Sequence, residues 1–242
     1  MEAETVLAPI SSSRAVREPG SEKEPHDNTA ESLFERFAWL YVFCREKLFR
    51  DDTERMVRAL WPNGSPPDGT ELIELGCGPG FYSCNLARRF PKLRVTGVDQ
   101  SDRQLCCARG KADELGLSNC YFAKVDVLEP SRPDETFDVL IASRLFTVLS
   151  ERSRAVSEMY RVLRPGGRCL IAEPRYAVWA SIPLYAMWML AGMSQLRDRY
   201  REPRSASVLK RDEFARLFQT NPWRRCRIWI DGRYQYALCE KG

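Results

Sequence analysis

Apolar positions change their spacing several times along this 242-residue chain, and each change marks an element. Between Glu31 and Leu60, the residues Leu33, Phe34, Phe37, Leu40, Tyr41, Cys44, Leu48, Val57 and Leu60 recur every three or four positions. That spacing predicts amphipathic helix, interrupted near Asp51-Asp52. Residues 63–69 read NGSPPDG and form a loop by their turn chemistry. Short apolar runs then alternate with helical patterns. Strands are expected at residues 72–75, 93–98, 120–125, 137–142 and 168–172. Helices are expected after the first strand as far as Arg89, and at residues 104–115 and 151–163. Such alternation gives right-handed crossovers and a parallel sheet covered on both faces. Two further runs, 226–230 and 234–239, flank Asp231-Gly232 and predict an antiparallel hairpin. The expected fold is therefore α/β: a doubly wound, mostly parallel seven-stranded sheet with a C-terminal antiparallel hairpin.

Residues 1–28 are rich in Ser, Pro, Glu and Arg and lack apolar periodicity. They are expected to be disordered or loosely attached, because they bury too little surface to offset chain entropy. Residues 29–242 are expected to form a single domain, with N-terminal helices over 29–62 and a lid-like helical insertion over 175–210. With 44% hydrophobic residues the chain supports one substantial core, and a net charge of +4 does not identify a nucleic-acid binder. There are nine cysteines but no Cys-x-x-Cys pair, and the single histidine, His26, lies in the polar N-terminal stretch. This fits neither a disulfide framework nor a zinc site, so no metal is expected. The cysteines are expected to be mostly small core residues in a reducing, cytoplasmic setting. The acidic start MEAETVLAPISSS does not read as a secretory leader.

The residues Glu74-Leu75-Gly76-Cys77-Gly78-Pro79-Gly80 leave a strand and enter a helix. Glycines there let a ligand approach the backbone, and free N–H groups at a helix start favour an anionic group. A tight turn with no ligand gives the same pattern. The dinucleotide fingerprint wants a small residue where this chain has Phe81, which disfavours nicotinamide and flavin cofactors. The next strand ends in Val98-Asp99, and a carboxylate at that point accepts from both hydroxyls of a ribose.

With these motifs in place, residues from about Glu71 to Pro174 resemble the class I S-adenosylmethionine-dependent methyltransferases, a Rossmann-like fold. The similarity is to the subgroup acting on small molecules, quinones and lipids. The resemblance implies S-adenosylmethionine as cofactor and S-adenosylhomocysteine as product. It implies that Gly76, Gly78 and Gly80 line the methionine part while Glu74 orients its amino group. Asp99 would hold the ribose hydroxyls, Gln100 would flank the adenosine, and Asp126 would accept from the adenine amino group. Val127 would pack near the ring, with Ser143 at the cofactor's edge. Arg161 to Gly167 is similar to the family's turn before the fifth strand, and structurally it is a helix stop. The chain departs from many relatives in reading Thr147-Val148 where they carry a His pair, which weakens any proposal of a histidine base. No catalytic residue is assigned; Glu173, Tyr41, Tyr176 and Tyr185 are the only base candidates.

Residues 176–193 hold no charge and lie between Arg175 and Arg197. A transmembrane span is disfavoured, because it would separate the C-terminal hairpin from its sheet. Two readings stay open: a buried helix, or a lid or interfacial helix. The second would pair its Trp and Tyr residues with Arg197, Arg199, Arg201 and Arg204, giving peripheral membrane contact through 176–204. The aromatic cluster Phe34, Phe37, Trp39, Tyr41 and Phe43 could form the facing wall. Candidate acceptor-binding residues are Phe37, Tyr41, Arg144, Tyr176 and Tyr185. The expected function is methyl transfer to a small, apolar or lipid-like acceptor. The alternatives are a nucleic-acid methyltransferase and a cofactor-binding module without catalysis. The first lacks an Asp/Asn-Pro-Pro-aromatic stretch after the fourth strand, and Arg224, Arg225 and Arg227 read as a solvated face.

Overall fold

The computed structural model describes residues 32–129, 133–193, 200 and 205–242. The expectations for residues 1–28, and for the arginines between 197 and 204, lie outside the described residues. Seven strands form one sheet in the order β3-β2-β1-β4-β5-β7-β6. β1 (Glu71–Leu75), β2 (Arg94–Asp99), β3 (Cys120–Lys124), β4 (Phe137–Ser143) and β5 (Leu163–Pro174) pair in parallel. β7 (Tyr234–Lys241) inserts between β5 and β6 (Trp223–Asp231) and is antiparallel to both. The register pairs Asp231 with Tyr234, leaving Gly232-Arg233 as a two-residue loop. Gly232 has φ of 60° and Arg233 is not in the left-handed region, as a type II′ turn requires.

Strand alternation divides the core. Leu72, Val139, Ile141 and Leu170 face one side, packed under α3 (Thr53–Leu60) and α4 (Phe81–Arg89). Ile73, Leu140, Ala142 and Ile171 face the other, under α6 (Arg152–Val162) and α8 (Arg211–Leu217). In α6, Ala155, Val156, Met159 and Val162 recur at helical spacing and are all buried. Burial of such side chains contributes about 1.5–3 kcal/mol each for the larger ones. α5 (Asp102–Glu114) covers β3 and is capped by Ser101, whose hydroxyl accepts from Gln104 N at 3.1 Å.

The elements differ from expectation in three places. Besides the expected interruption ahead of α3, here residues 48–52, the N-terminal helical stretch breaks a second time at Phe37, between α1 (Leu33–Arg36) and α2 (Ala38–Lys47). β5 starts earlier because Leu163 already pairs with Phe137, ahead of the Pro165-Gly166-Gly167 turn. The short α8, with Phe214 as its buried anchor, was not anticipated.

α7 (Ala177–Met193) resolves the two readings of the uncharged segment in an intermediate way. Ala180, Leu184, Met187 and Ala191 are buried against Leu33, Tyr200 and Ala206. Val178, Trp179, Tyr185 and Met189 on the opposite side are exposed, Met189 by 75%. The helix is thus apolar all round but covered on one face only. Among the described residues no helix is long and apolar enough to cross a membrane.

Most of the cysteines are core residues, as expected, and the departures are an exposed pair and a cross-strand disulfide. Cys44, Cys77, Cys84, Cys120 and Cys169 are buried thiols, but Cys106 and Cys107 are exposed. Cys226 and Cys239 are joined as a disulfide across β6 and β7, where they are direct register partners. Their separation of 13 residues showed no spacing motif; only strand pairing brings them together. Among the described residues no cluster of three or more His, Cys, Asp or Glu side chains is placed to hold a metal ion.

Candidate cofactor and acceptor site

A cavity of about 330 Å³ opens at the carboxyl ends of β1, β2 and β4. That is the point where strand order reverses, and ligands of open α/β sheets bind there. Pockets of this size suit small ligands. Gly76 and Gly78 form its floor after β1. Asp99 ends β2, with Gln100 and Ser101 after it; Val127 lies beyond β3; and Ser143 ends β4, with Arg144, Leu145 and Thr147 to Leu149 after it. Ser32, Phe34 and Tyr41 close it from the N-terminal helices, and Ala180, Pro183 and Leu184 of α7 complete the wall.

The glycine loop is held by its neighbours. Cys77 N donates to Val98 O at 2.9 Å, tying the loop to β2. Gly78 N donates to Asp99 Oδ2 at 2.9 Å, while Asp99 Oδ1 accepts from Ser101 N at 2.9 Å. Both carboxylate oxygens are therefore oriented, and each keeps a lone pair for a further donor. Burial raises the Asp99 pKa, and the Ser101 and Gly78 N–H groups pull it back. Gly78 has φ of 52°, and a Cβ there would lie 3.3 Å from Tyr41 Cε1, so the loop and the roof meet only across a glycine.

Several residues singled out from the sequence stand behind the cavity instead of on its surface. Glu74 is buried, and its Oε2 accepts from Ser83 N at 2.8 Å and from Ser83 Oγ at 2.5 Å, fastening β1 to the first turn of α4. Its carboxyl is pushed up to about 7 by burial, the Ser83 bonds opposing. Gly80 is the left-handed N-cap of α4, and a Cβ there would fall 2.9 Å from both Ala108 Cβ and Phe122 Cζ. Its role in the fold is to let α4, α5 and β3 approach. Asp126 is exposed, and its Oδ1 accepts from Leu128 N at 2.9 Å. Glu173, also buried, has Oε1 accepting from Phe146 N at 2.9 Å and is pushed up to about 8 by burial.

Of the acceptor-site candidates, Tyr41 and Arg144 line the cavity and Phe37, Tyr176 and Tyr185 do not. Phe37 packs on the α1–α7 cluster, while Tyr176 and Tyr185 are about half exposed at 49% and 50%. Trp39 and Phe43 of the aromatic cluster also face outward. The roof helix α2 is seated by Arg45, whose guanidinium carbon lies 3.7 Å from the Phe81 ring centre and 4.4 Å from that of Tyr82. Burial raises the Tyr41 pKa, partly offset by the Arg144 and Arg45 charges, so its hydroxyl stays protonated.

Gln104 was missed from sequence. It is 2% exposed, lines the cavity, and neither polar atom of its amide has a hydrogen-bond partner. Its place one turn after the Asp99 loop was the available signal. Nothing local marked Ala180, Pro183 or Leu184, which reach the cavity only through the packing of α7. The orphaned amide and the oriented carboxylate lie in one cavity whose other linings are largely apolar. This donor set fits a nucleoside carrying an amino-acid tail.

The fold and site define a doubly wound nucleoside-binding domain. Residues 67–220 match the family model described as "Methyltransferase domain", and the chain belongs to that family, the class I S-adenosylmethionine-dependent methyltransferases, with S-adenosylmethionine as cofactor. A 106-residue stretch is 39% identical to phosphatidylethanolamine N-methyltransferase of Cereibacter sphaeroides, covering 43% of this chain and 51% of the relative. Over 102 residues it is 34% identical to demethylmenaquinone methyltransferase of Thermus thermophilus, covering 42% and 46%. The chain thus spans about half the length of these curated relatives. A methyltransferase crystal structure from Aquifex aeolicus shares the fold, with TM-score 0.60 at 21% identity over 84% of this chain and 96% of that one.

Proposed function

We propose that this protein transfers a methyl group from S-adenosylmethionine to a small, apolar or lipid-like acceptor by in-line displacement. The observation that carries the reading is a single cavity lined both by polar groups suited to a nucleoside and by apolar side chains. The polar lining includes Asp99 and the unpartnered Gln104 amide; the apolar lining includes Leu145, Val148, Leu149 and Leu184 of α7. A buried amide without partners costs free energy until a ligand completes it. In this reading Asp99 accepts from the ribose hydroxyls, Gln100 flanks the adenosine, and Val127 packs near the ring. Gly76 and Gly78 lie along the methionine part, Glu74 acts by holding the loop, and Ser143 sits at the cofactor's edge.

When bound, S-adenosylmethionine supplies an already activated methyl group. The chain's own contribution is orientation, which is worth about 7–11 kcal/mol where alignment is good. Among the described residues lining the cavity, only Tyr41, Asp99 and Arg144 titrate. Tyr41 stays protonated, Asp99 is committed to backbone N–H groups, and arginine is not a base. Glu173 lies behind the wall, bonded to Phe146 N. This composition favours an acceptor that needs no general base from the protein.

The names of the two curated relatives specify a lipid and a quinone, which supports an acceptor with apolar character. The N-terminal helices and α7 are read as lid-like parts of one domain with the sheet. The exposed side of α7, with Val178, Trp179, Tyr185 and Met189, is read as a contact for an apolar phase such as a membrane surface. Arg224 and Arg225 lie on the sheet edge at β6, away from the cavity, so no observation favours nucleic acid as acceptor.

Calorimetry with S-adenosylmethionine and S-adenosylhomocysteine against NAD tests the cofactor. Methyl release in a screen of phenolic, quinone, amine and lipid acceptors tests the transfer. Tighter binding of NAD, or the absence of transfer to every acceptor class by a protein that binds S-adenosylmethionine, would overturn the reading. Flotation with liposomes tests the membrane contact, and failure to float with anionic lipid removes it.

A further inference from the structure

Arg144 borders two hollows at once. It lines the cavity described above and also a groove of about 500 Å³ bounded by residues 48–50, α7 and the β6–β7 turn. All its contacts are neutral. One terminal nitrogen donates to Tyr234 OH at 3.2 Å, and the other to Ala180 O at 3.1 Å. The Phe49 ring centre stands 3.8 Å from its guanidinium carbon. Among the described residues no carboxylate lies within ion-pair distance of it; nearby Glu173 is turned to Phe146 N. A cation largely withdrawn from water without a counter-charge is costly.

Its backbone is also unusual. Arg144 has φ of 60°, a left-handed conformation rare for a side-chain-bearing residue, and its N–H is held by Ala172 O at 3.0 Å. The strained turn aims the side chain at the junction of the two hollows. The groove holds two more arginines. Arg50 is already neutralised by Asp52 at 2.7 Å and by Asp231. Arg233 rests on Trp179 with its guanidinium carbon 3.9 Å from the ring centre, and has no carboxylate partner among the described residues. The remaining walls are Leu48, Pro174, Trp179 and Ile182. Two cations without a carboxylate partner among the described residues therefore stand beside an apolar trough that shares Arg144 with the cavity.

We infer that Arg144 anchors an anionic group, carboxylate or phosphate, of an acceptor whose apolar chain lies along this groove. Arg144 is then a specificity-determining residue: its planar fork takes two anion oxygens, and Arg233 adds charge at the outer end. The inference rests on the methyl-transfer reading, and it narrows that reading's acceptor class to anionic amphiphiles.

Calorimetry on the full chain decides it, with S-adenosylhomocysteine present and absent. The probes are dodecanoate, dodecyl phosphate, dodecanol and dodecyltrimethylammonium, each below its micellar range. The expected result is that at least one anion binds about tenfold or more tighter than the alcohol and the cation, one charge-assisted bond's worth. The ranking of dodecanoate against dodecyl phosphate identifies the anion. Arg144→Gln is expected to lose about tenfold in anion affinity, and Arg144→Lys less, because it keeps the charge without the fork. Equal binding of the alcohol and the anions, or undiminished anion binding by a folded Arg144→Gln protein, overturns the inference. If that variant does not fold, the headgroup series on the unaltered protein decides alone. S-adenosylhomocysteine binding in the same sample separates the two levels. Its absence sinks the parent reading, whereas its presence with indifference to headgroup sinks this one only.

Discussion

Asp99→Asn removes one charge and leaves the side chain's shape. In the native loop the two oxygens accept from Gly78 N and Ser101 N, both at 2.9 Å. The amide keeps one of these bonds and presents an NH₂ to the other N–H, so one charge-assisted bond is lost. Such a bond contributes about 1.5–3 kcal/mol, but the asparagine also avoids desolvating a carboxylate, so the net loss of stability is about 1–2 kcal/mol. For a chain of this size that is a fall of roughly 2–8 °C in Tm. The effect on the cofactor is larger in proportion, because the amide offers one acceptor oxygen where two ribose hydroxyls need two. Losing a charged acceptor of about 1.5–3 kcal/mol weakens S-adenosylhomocysteine binding by roughly 10- to 150-fold. Calorimetry at a temperature well below both melting points, with a thermal melt of each protein, separates the two effects. A folded Asp99→Asn protein that binds S-adenosylhomocysteine as tightly as the native one would refute the assignment of Asp99 to the ribose.

Burial raises Glu74 to about 7 and Glu173 to about 8. The folded state therefore keeps protons that the unfolded state releases above the ordinary value of 4.5. Their stabilising effect is complete below that value and is lost as pH rises through 7 and 8. Urea unfolding at successive pH values is expected to show stability declining over this window, and Glu173→Gln, which still accepts from Phe146 N, is expected to flatten its upper part. An unchanged slope in the variant counts against the assignment. Gly80→Ala places a Cβ 2.9 Å from Ala108 and Phe122 at a φ of 72°, and is expected to cost about 2–4 kcal/mol by overpacking and strain. Denaturant midpoints check it. On α7, Met187→Ala is expected to cost about 2–5 kcal/mol and Met189→Ala less than about 0.5, since the first is fully buried and the second 75% exposed. Equal losses from the two would mean that the helix is turned differently.

The strand–helix order, the glycine loop and the hairpin were legible because each is written in neighbouring residues. Short apolar runs make β1 to β5, Asp231-Gly232 makes a turn, and Gly76, Gly78 and Gly80 are free to take the positive φ that the loop uses. Asp99 was legible for a related reason: a strand adjacent to β1 ends on it, and sheet geometry alone carries that end to the loop. Phe81, standing where a dinucleotide fold needs a small residue, disfavoured nicotinamide and flavin, and the resemblance of the linked motifs pointed to S-adenosylmethionine.

Tertiary structure decided what depends on register, rotation and distance. The uncharged residues of α7 gave no amphipathic signal, so only packing against Leu33, Tyr200 and Ala206 chose which face was buried. The Cys226–Cys239 pair needed the strand register. Asp126 and Val127 are neighbours in sequence, yet one bonds its own turn and the other lines the cavity. Arg144 could be named from its place after β4, but its lack of a counter-charge is a property of every segment around it at once. Local sequence dictates local backbone through sterics and hydrophobic period. Which polar groups end up without partners is fixed only when segments far apart in the chain exclude water together, and the Gln104 amide in the cavity is one such group.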